Sequence, residues 1–224
     1  LEDKNLSYQA SKALAEINGK PFLDILIDYV ASFGFKRFIL CLGYKAGLIR
    51  KYYKEKKSSL EIIFSEEKSL LGTAGALKNA QHFIKSSPFL VMNGDSFCNV
   101  DFNNFINFHL DKKALFSVAL VNSGNADDYG SVSLTDSGEV DRFDEKINTA
   151  GRKVLINTGI YLFENIVFSM IPASEGFSIE YELFKKIINL GFYGYKTDGR
   201  LTDIGTPHRY KQAQSILKGN LWKK

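Results

Sequence analysis

Five short stretches of this chain carry the side chains and glycines that hold cations and anions. In Val91-Met92-Asn93-Gly94-Asp95 an apolar run ends and a carboxylate follows at once. Ligands of open α/β sheets bind beyond the carboxyl ends of the strands, so Asp95 stands where a hard cation such as Mg²⁺ could be held; a plain turn accounts for Asn-Gly-Asp as well. In Leu70-Leu71-Gly72-Thr73-Ala74-Gly75-Ala76-Leu77 the glycines allow a ligand close to the backbone, and a helix N-terminus favours anions. No Gly-Lys-Ser/Thr follows and no GxGxxG is present, so the segment is neither a P-loop nor a dinucleotide fingerprint, and a simple helix entry competes with the binding reading. Phe143-Asp144-Glu145-Lys146 follows a strand-like run, as ligands or as a solvated charge pair. In Ile156-Asn157-Thr158-Gly159-Ile160-Tyr161 an amide and a glycine interrupt an apolar strand, which marks close approach of a ligand or of another backbone. Last, Asp203 lies three residues before Thr206-Pro207, an N-cap followed by a first helical residue; a surface turn is the alternative for this carboxylate.

Hydrophobic periodicity supplies the elements that must position these groups. Helical spacing is read over 21–34, 45–54, 73–85, 102–110, 179–190 and 207–217, and strands over 37–42, 60–65, 88–92, 116–121, 131–134, 140–143, 154–163 and 192–197. Strand and helix alternate up to Asn122, which implies βαβ units and parallel pairing. Beyond it Asp136-Ser137-Gly138 signals a hairpin. The expected fold is α/β: a Rossmann-like mixed, mainly parallel sheet flanked by helices, with a small antiparallel extension. One domain over 1–224 is expected, in halves 1–121 and 122–224, since no linker or repeat separates them.

Composition narrows the function classes. The 224 residues are 45% hydrophobic and 24% charged, enough for one well-buried core without disulfides or metals. Lys+Arg 29 against Asp+Glu 25 leaves +4, too small and too evenly spread for a nucleic-acid protein. No apolar run approaches the ~18 residues of a membrane helix, and no leader pattern is seen. Cys41 and Cys98 lie in apolar strand-like runs and read as reduced thiols of a cytoplasmic core. His82, His109 and His208 lack metal-ligand spacing and are expected on the surface or on helices; Phe102, Phe105 and Phe108 recur at helical spacing as core; 54–57 is a solvated loop of mixed charge.

In this order the stretches resemble the sugar-1-phosphate nucleotidylyltransferase family over essentially the whole chain. The matching blocks are Ser11-Lys12-Ala13-Leu14 with Asn18-Gly19-Lys20-Pro21, then Leu71 to Leu77, Asn93-Gly94-Asp95, Tyr129-Gly130, Glu145-Lys146, Asn157-Thr158-Gly159 and Asp203-Ile204-Gly205-Thr206-Pro207. Two departures stand out: Ser11 replaces the usual proline, and the family's opening strand with its Gly-rich triphosphate loop has no counterpart in this sequence. The resemblance implies in-line attack of a sugar 1-phosphate on the α-phosphorus of an NTP, giving an NDP-sugar and pyrophosphate. It implies Asp95 and Asp203 as ligands of Mg²⁺, Lys12 on the reacting phosphates and Lys146 on the sugar phosphate. Glu145, Asn157, Thr158 and the Gly130 amide fall to the sugar, and Leu71, Gly72, Thr73, Asn93 and Gly94 to the nucleotide. Glu67 (or Glu66) stands where relatives place a base-reading glutamine. A carboxylate only accepts and guanine offers paired N–H donors, which favours GTP; a solvated glutamate is the alternative. The wording is most similar to the heptose 1-phosphate guanylyltransferase branch, shared in part with mannose-1-phosphate enzymes. The partners expected are an NTP and a sugar 1-phosphate, with no nucleic acid or membrane and room for a homo-oligomer. The family's usual destination is polysaccharide biosynthesis. UTP, dTTP or CTP with a hexose 1-phosphate, or a non-catalytic nucleotide or NDP-sugar sensor, are the other readings. The short C-terminus carries no hexapeptide-repeat extension.

Overall fold

The computed structural model describes residues 12–123, 129–144, 153–173 and 176–218. In chain order the strands are β1 (Glu16–Ile17), β2 (Lys20–Pro21), β3 (Arg37–Leu42), β4 (Glu61–Glu66), β5 (Phe89–Met92), β6 (Ser96–Cys98), β7 (Phe116–Ser123), β8 (Ser131–Leu134), β9 (Val140–Asp144), β10 (Val154–Phe163), β11 (Phe192–Thr197) and β12 (Leu201–Asp203). The α-helices are α1 (Phe22–Ala31), α2 (Ala46–Glu55), α3 (Gly72–Asn79), α4 (Phe102–Asp111), α5 (Val167–Met170), α6 (Phe184–Ile187) and α7 (Pro207–Ile216). Contacts divide these residues into two units, one from 12–69, 94–99 and 201–218, the other from the described parts of 70–93 and 100–200. The division does not follow the expected halves: position 121 lies inside β7, in the middle of the second unit.

In the first unit Asn18-Gly19 turns β1 into β2, both residues at positive φ (52° and 85°) as a tight two-residue hairpin requires. Asn18 is then held by α7: its N–H donates to Gln214 Oε1 at 2.8 Å, and its side chain donates to the carbonyls of Gln214 and Leu217. Behind Pro21, α1 buries Phe22, Ile25, Leu26 and Tyr29. Strands β3 and β4 pair in parallel from Arg37↔Glu61 to Leu42↔Glu66, with α2 as the crossover, as the alternating pattern requires. Short strands β6 and β12 form an antiparallel ribbon that no periodicity could announce, three residues being too few to show one.

The second unit is built on one six-stranded sheet, ordered β11-β7-β10-β8-β9, with β5 also on β10. The α/β class and the mixed sheet are as expected, but the proportion is not. Parallel pairing among the described strands is confined to β3–β4 and β11–β7; β10 runs antiparallel to β5, β7 and β8. The hairpin at Asp136-Ser137-Gly138 is present between β8 and β9. The helix expected over 179–190 is a π-helical turn, Ile179–Leu183, followed by α6, and the chain leaves it where Asn189 takes a left-handed φ of 68°. Phe89, Phe116, Tyr161, Phe163, Phe184 and Phe192 form the aromatic centre of the core, with Phe184 and Phe192 rings 4.8 Å apart. Phe102 and Phe105 are fully buried, as expected, and Phe108 packs on Tyr195.

Three surface expectations change. Cys98 is buried but Cys41 is exposed; neither forms a disulfide, and burial pushes the Cys98 thiol up to about 12. His109 lies on α4 but is buried, its Nδ1 2.8 Å from Ser117 Oγ. The charge run at 54–57 is not simply solvated, because Lys56 Nζ reaches the Asp24 carboxylate at 2.7 Å. No helix of the described residues is long and apolar enough to cross a membrane.

Asp24 is the first unit's buried charge: it is 3% exposed and accepts from Tyr52 at 2.6 Å, Tyr53 at 2.7 Å and Lys56. Burial raises its pKa, but Lys56 and the two phenols outweigh that and hold it below the ordinary aspartate value. A carboxylate depressed in the fold stabilises fully above its unfolded value and loses that contribution as pH falls through its folded value. Asp24→Ala should therefore cost about 2–3 kcal/mol in urea unfolding at pH 7, and the gap from the unsubstituted protein should close toward pH 2.

Candidate active site

The carboxylates sit on the β6–β12 ribbon. Register places Asp203 opposite Ser96, so Asp95, the residue before β6, flanks the same end; its backbone carbonyl accepts from Ile204 N–H at 3.0 Å. Asp203 is only 7% exposed, which removes the surface-turn reading. Its Oδ1 accepts from Gly205 N–H at 2.9 Å and from Arg209 Nη1 at 3.3 Å, so the loop after β12 and the first turn of α7 fix its orientation. Asp95 is half-buried and takes a 3.2 Å hydrogen bond from Ser96 Oγ. Lys12, exposed at the start of a 3₁₀ turn, donates from Nζ to Gly205 O at 3.0 Å. Three sequence-predicted groups, Lys12, Asp95 and Asp203, thus meet in one unit although they are widely separated in the sequence.

These donors suit a hard divalent cation. Two carboxylates at one end of a ribbon are hard oxygen ligands, and no cluster of three or more His, Cys, Asp or Glu joins them among the described residues. Such a cation needs only one or two carboxylates when substrate phosphates and water complete its shell.

Glu66 and Glu67 part company at the end of β4. The Glu66 carboxylate is paired with Arg50. Glu67 donates its N–H to Leu42 O at 3.0 Å, and its carboxylate lies against Gly43, where a Cβ would collide with it. Gly94 is exposed at the start of the stretch that carries Asp95.

In the second unit the glycine-rich loop is clipped to residues 177–180. Ala74 and Gly75 N–H donate to Phe177 O at 2.8 and 3.0 Å, and Phe177 N–H donates to Leu71 O at 2.7 Å. Two amides of the α3 N-terminus, those of Ala74 and Gly75, are therefore occupied by a carbonyl. Gly72 has φ +71°, and a Cβ there would stand 2.7 Å from Phe177 O; only glycine serves. Thr73 Oγ1 accepts from Ile179 N–H at 2.8 Å and donates to Glu180 Oε2 at 3.3 Å.

Asn157, Thr158 and Gly159 form an irregularity in β10, where the register with β7 shifts between Asn157 and Tyr161. Gly159 at φ +74° brings its backbone against Asn93, whose Nδ2 would lie 2.6 Å from a Cβ; the Asn93 N–H donates to Gly159 O at 2.8 Å. Asn157 Oδ1 accepts from Gly159 N–H at 2.9 Å and its Nδ2 donates to Tyr161 Oη at 2.8 Å. An amide has two donor hydrogens and two lone pairs on its oxygen, so these two bonds use half of its capacity. Gly130 O accepts from Asn157 N–H at 2.9 Å and the Phe143 ring packs over Gly130, so these two expected sugar residues are adjacent. Thr158 needs correction: at 2% exposure its hydroxyl donates to Ala119 O at 2.8 Å, so it anchors β10 to β7 rather than offering a side chain to a sugar. Glu145 and Lys146 lie outside the described residues.

Sequence reasoning missed Tyr161, Ser178, Glu180 and Arg209. Tyr161 is fully buried and donates to Glu180 Oε1 at 2.8 Å; burial and that carboxylate push its phenol well above the ordinary value, keeping it a donor. Ser178 caps the π-helical turn, accepting from Glu180 and Tyr181 N–H, and donates to Glu180 Oε2 at 3.1 Å. Two signals were available: a tyrosine hydroxyl inside an apolar strand needs a partner, and a serine before a helical run is an N-cap.

The fold recurs in known proteins. The family model described as Nucleotidyl transferase matches residues 4–219. A D-glycero-alpha-D-manno-heptose 1-phosphate guanylyltransferase of Campylobacter jejuni is 33% identical over 92% of this chain and 90% of its own. One from Aneurinibacillus thermoaerophilus is 32% identical over 92% of this chain and 89% of its own. The solved structure of HddC from Yersinia pseudotuberculosis complexed with GMP-PN superposes with TM-score 0.80 at 32% identity, covering 92% of this chain and 90% of that one. Since the family match spans nearly the whole chain and includes Lys12, Asp95 and Asp203, the chain belongs to the nucleotidyl transferase family.

Proposed function

We propose that this chain transfers a guanylyl group from GTP to a sugar 1-phosphate of the heptose or mannose type, releasing a GDP-sugar and pyrophosphate. What supports the reading is the meeting of Lys12, Asp95 and Asp203 at one end of the β6–β12 ribbon, in a chain similar along its length to heptose 1-phosphate guanylyltransferases. A phosphate oxygen of the sugar 1-phosphate forms the new bond to the α-phosphorus, the bond from that phosphorus to the bridging oxygen breaks, and pyrophosphate leaves with the electron pair. The attacking oxygen is already ionised at neutral pH, so neither aspartate acts as a base. The barrier is the approach of two anions, and the protein lowers it by positioning and by positive charge. Asp95 and Asp203 would hold Mg²⁺, which when bound neutralises charge on the reacting phosphates. Arg209 and the Gly205 amide keep the Asp203 carboxylate in one orientation, and Lys12 lays its charge beside the same loop. In this reading Lys146 takes the sugar phosphate, and Glu145, Asn157 and the Gly130 amide take sugar hydroxyls. The Thr158 side chain has no part in it. Leu71, Gly72, Thr73, Asn93 and Gly94 line the nucleotide. Glu67 accepts from guanine N1–H and N2–H₂, Glu66 being paired with Arg50. Two cysteines outside any disulfide fit a reaction in the cytoplasm.

Asp95→Ala and Asp203→Asn, the second keeping an oxygen for Gly205 N–H and Arg209, should each lower Mg²⁺-dependent pyrophosphate release at least ~10²-fold while leaving the thermal unfolding midpoint close to that of the unsubstituted protein. Retained turnover in either variant sinks the metal assignment. Four NTPs crossed with several sugar 1-phosphates in the same assay test the substrates: GTP with a heptose or mannose 1-phosphate should give product, whereas preference for UTP, dTTP or CTP overturns the guanylyl reading, and no product from any pair leaves a binding role only.

Glu67→Gln should cost about ten- to a hundred-fold in kcat/KM for GTP, the worth of a charged acceptor facing two donors. GTP turnover unchanged by the substitution removes Glu67 from the base site.

A further inference from the structure

We propose that Glu180 is a positioning residue that couples the nucleotide loop to the sugar-facing amide, so that each substrate senses the other through one carboxylate. The proposal rests on the functional reading above, in which Thr73 belongs to the nucleotide loop and Asn157 to the sugar. Its geometry lies wholly within the second unit. Glu180 Oε1 accepts from Tyr161 Oη at 2.8 Å, and the same phenol oxygen accepts from Asn157 Nδ2 at 2.8 Å. Glu180 Oε2 accepts from Thr73 Oγ1 at 3.3 Å and from Ser178 Oγ at 3.1 Å. The chain Asn157–Tyr161–Glu180–Thr73 thus runs unbroken from the β10 irregularity to the first turn of α3.

Each link has a definite polarity. Tyr161 is fully buried with its phenol held protonated, so it donates to the carboxylate and presents only a lone pair to Asn157. That fixes which end of the Asn157 amide is nitrogen, and Gly159 N–H on Oδ1 agrees. The amide's remaining donor and lone pair are therefore aimed by Glu180 at one remove. On the other side Thr73 is exposed, and its hydroxyl ties the loop to the carboxylate. A nucleotide that draws the Thr73 hydroxyl to itself removes one hydrogen bond from Oε2 and strengthens the carboxylate as acceptor for Tyr161. Hydrogen bonds in a line polarise one another, and a carboxylate shared by two sites gives them a common element that both can bias.

The test compares Tyr161→Phe, which cuts the chain between Asn157 and Glu180 while keeping the ring, with Glu180→Gln, which keeps the shape and removes the charge. Binding of a sugar 1-phosphate is measured by calorimetry with and without a non-hydrolysable GTP analogue. In the unsubstituted protein the analogue should change sugar-phosphate affinity by about ten-fold, the usual size of such coupling. Both variants should shrink that factor toward one. Affinity for the analogue alone should stay within about two-fold in Tyr161→Phe, and kcat should move less than the KM for the sugar 1-phosphate. Near-ultraviolet circular dichroism and thermal unfolding of the variants separate this from misfolding, and a variant that fails to fold is replaced by Thr73→Val, which cuts the other end of the chain. Coupling unchanged in an active, folded Tyr161→Phe or Thr73→Val variant overturns the proposal alone, as does absence of coupling in the unsubstituted enzyme. An unsubstituted protein that turns over no NTP with any sugar 1-phosphate overturns the functional reading, and the proposal with it.

Discussion

A strand hydrogen-bonded along both edges has no backbone groups left for a ligand. Strand β10 pairs with β7 on one side and with β5 and β8 on the other, and it escapes that constraint at one place, between Asn157 and Tyr161. There Gly159 takes a left-handed φ, Asn157 folds its own side chain back onto Gly159 N–H, and the Thr158 hydroxyl replaces a missing ladder bond by reaching Ala119 O. The rest of the second unit's site follows from this irregularity. It admits Asn93 beside Gly159, turns the Asn157 amide onto Tyr161, and sets Gly130 behind Asn157 N–H.

The first unit solves a different problem, that of holding negative charges close together. Asp203 is buried, so its charge must be compensated within the fold, and Gly205 N–H and Arg209 do this on one oxygen. Lys12 contributes through a carbonyl rather than through the carboxylate itself. Asp24 shows the same economy at a purely structural position, where two phenols and Lys56 surround one carboxylate. The modest excess of +4 is compatible with anionic substrates because the cationic groups are local to the carboxylates they serve.

The long elements were legible in the sequence because their periods are long enough to read. Strands β8, β10 and β11 fall where alternation and apolar runs put them, and α1, α4 and α7 begin within one residue of the spans that helical spacing gives them. Asp95, Asp203 and Lys12 were visible as chemistry-bearing residues, and the structure gathers them. The ribbon that gathers them was not legible, since β6 and β12 have three residues each and lie far apart in the chain. Glu180 was hidden for a related reason: its meaning depends on a tyrosine 19 residues away and a threonine 107 away, and pattern reading sees neither. Thr158 was misread because its hydroxyl stands beside a candidate amide in the sequence, whereas in the fold it is spent on Ala119 O.

The discontinuity of the first unit has a consequence for how the chain acquires its chemistry. Lys12 and Gly205 are 193 residues apart, and Asn18 is held by Gln214 across 196. Contacts of such separation close late, because the loop between them must already be ordered or else lose its entropy at that moment. The six-stranded sheet, encoded between these segments, can form before β12 is made; the ribbon cannot, because β12 follows every strand of that sheet in the chain. A chain interrupted before residue 201 would therefore have every strand of the sheet and its aromatic core yet lack Asp203, so the meeting of the two carboxylates waits for residues made after the sheet.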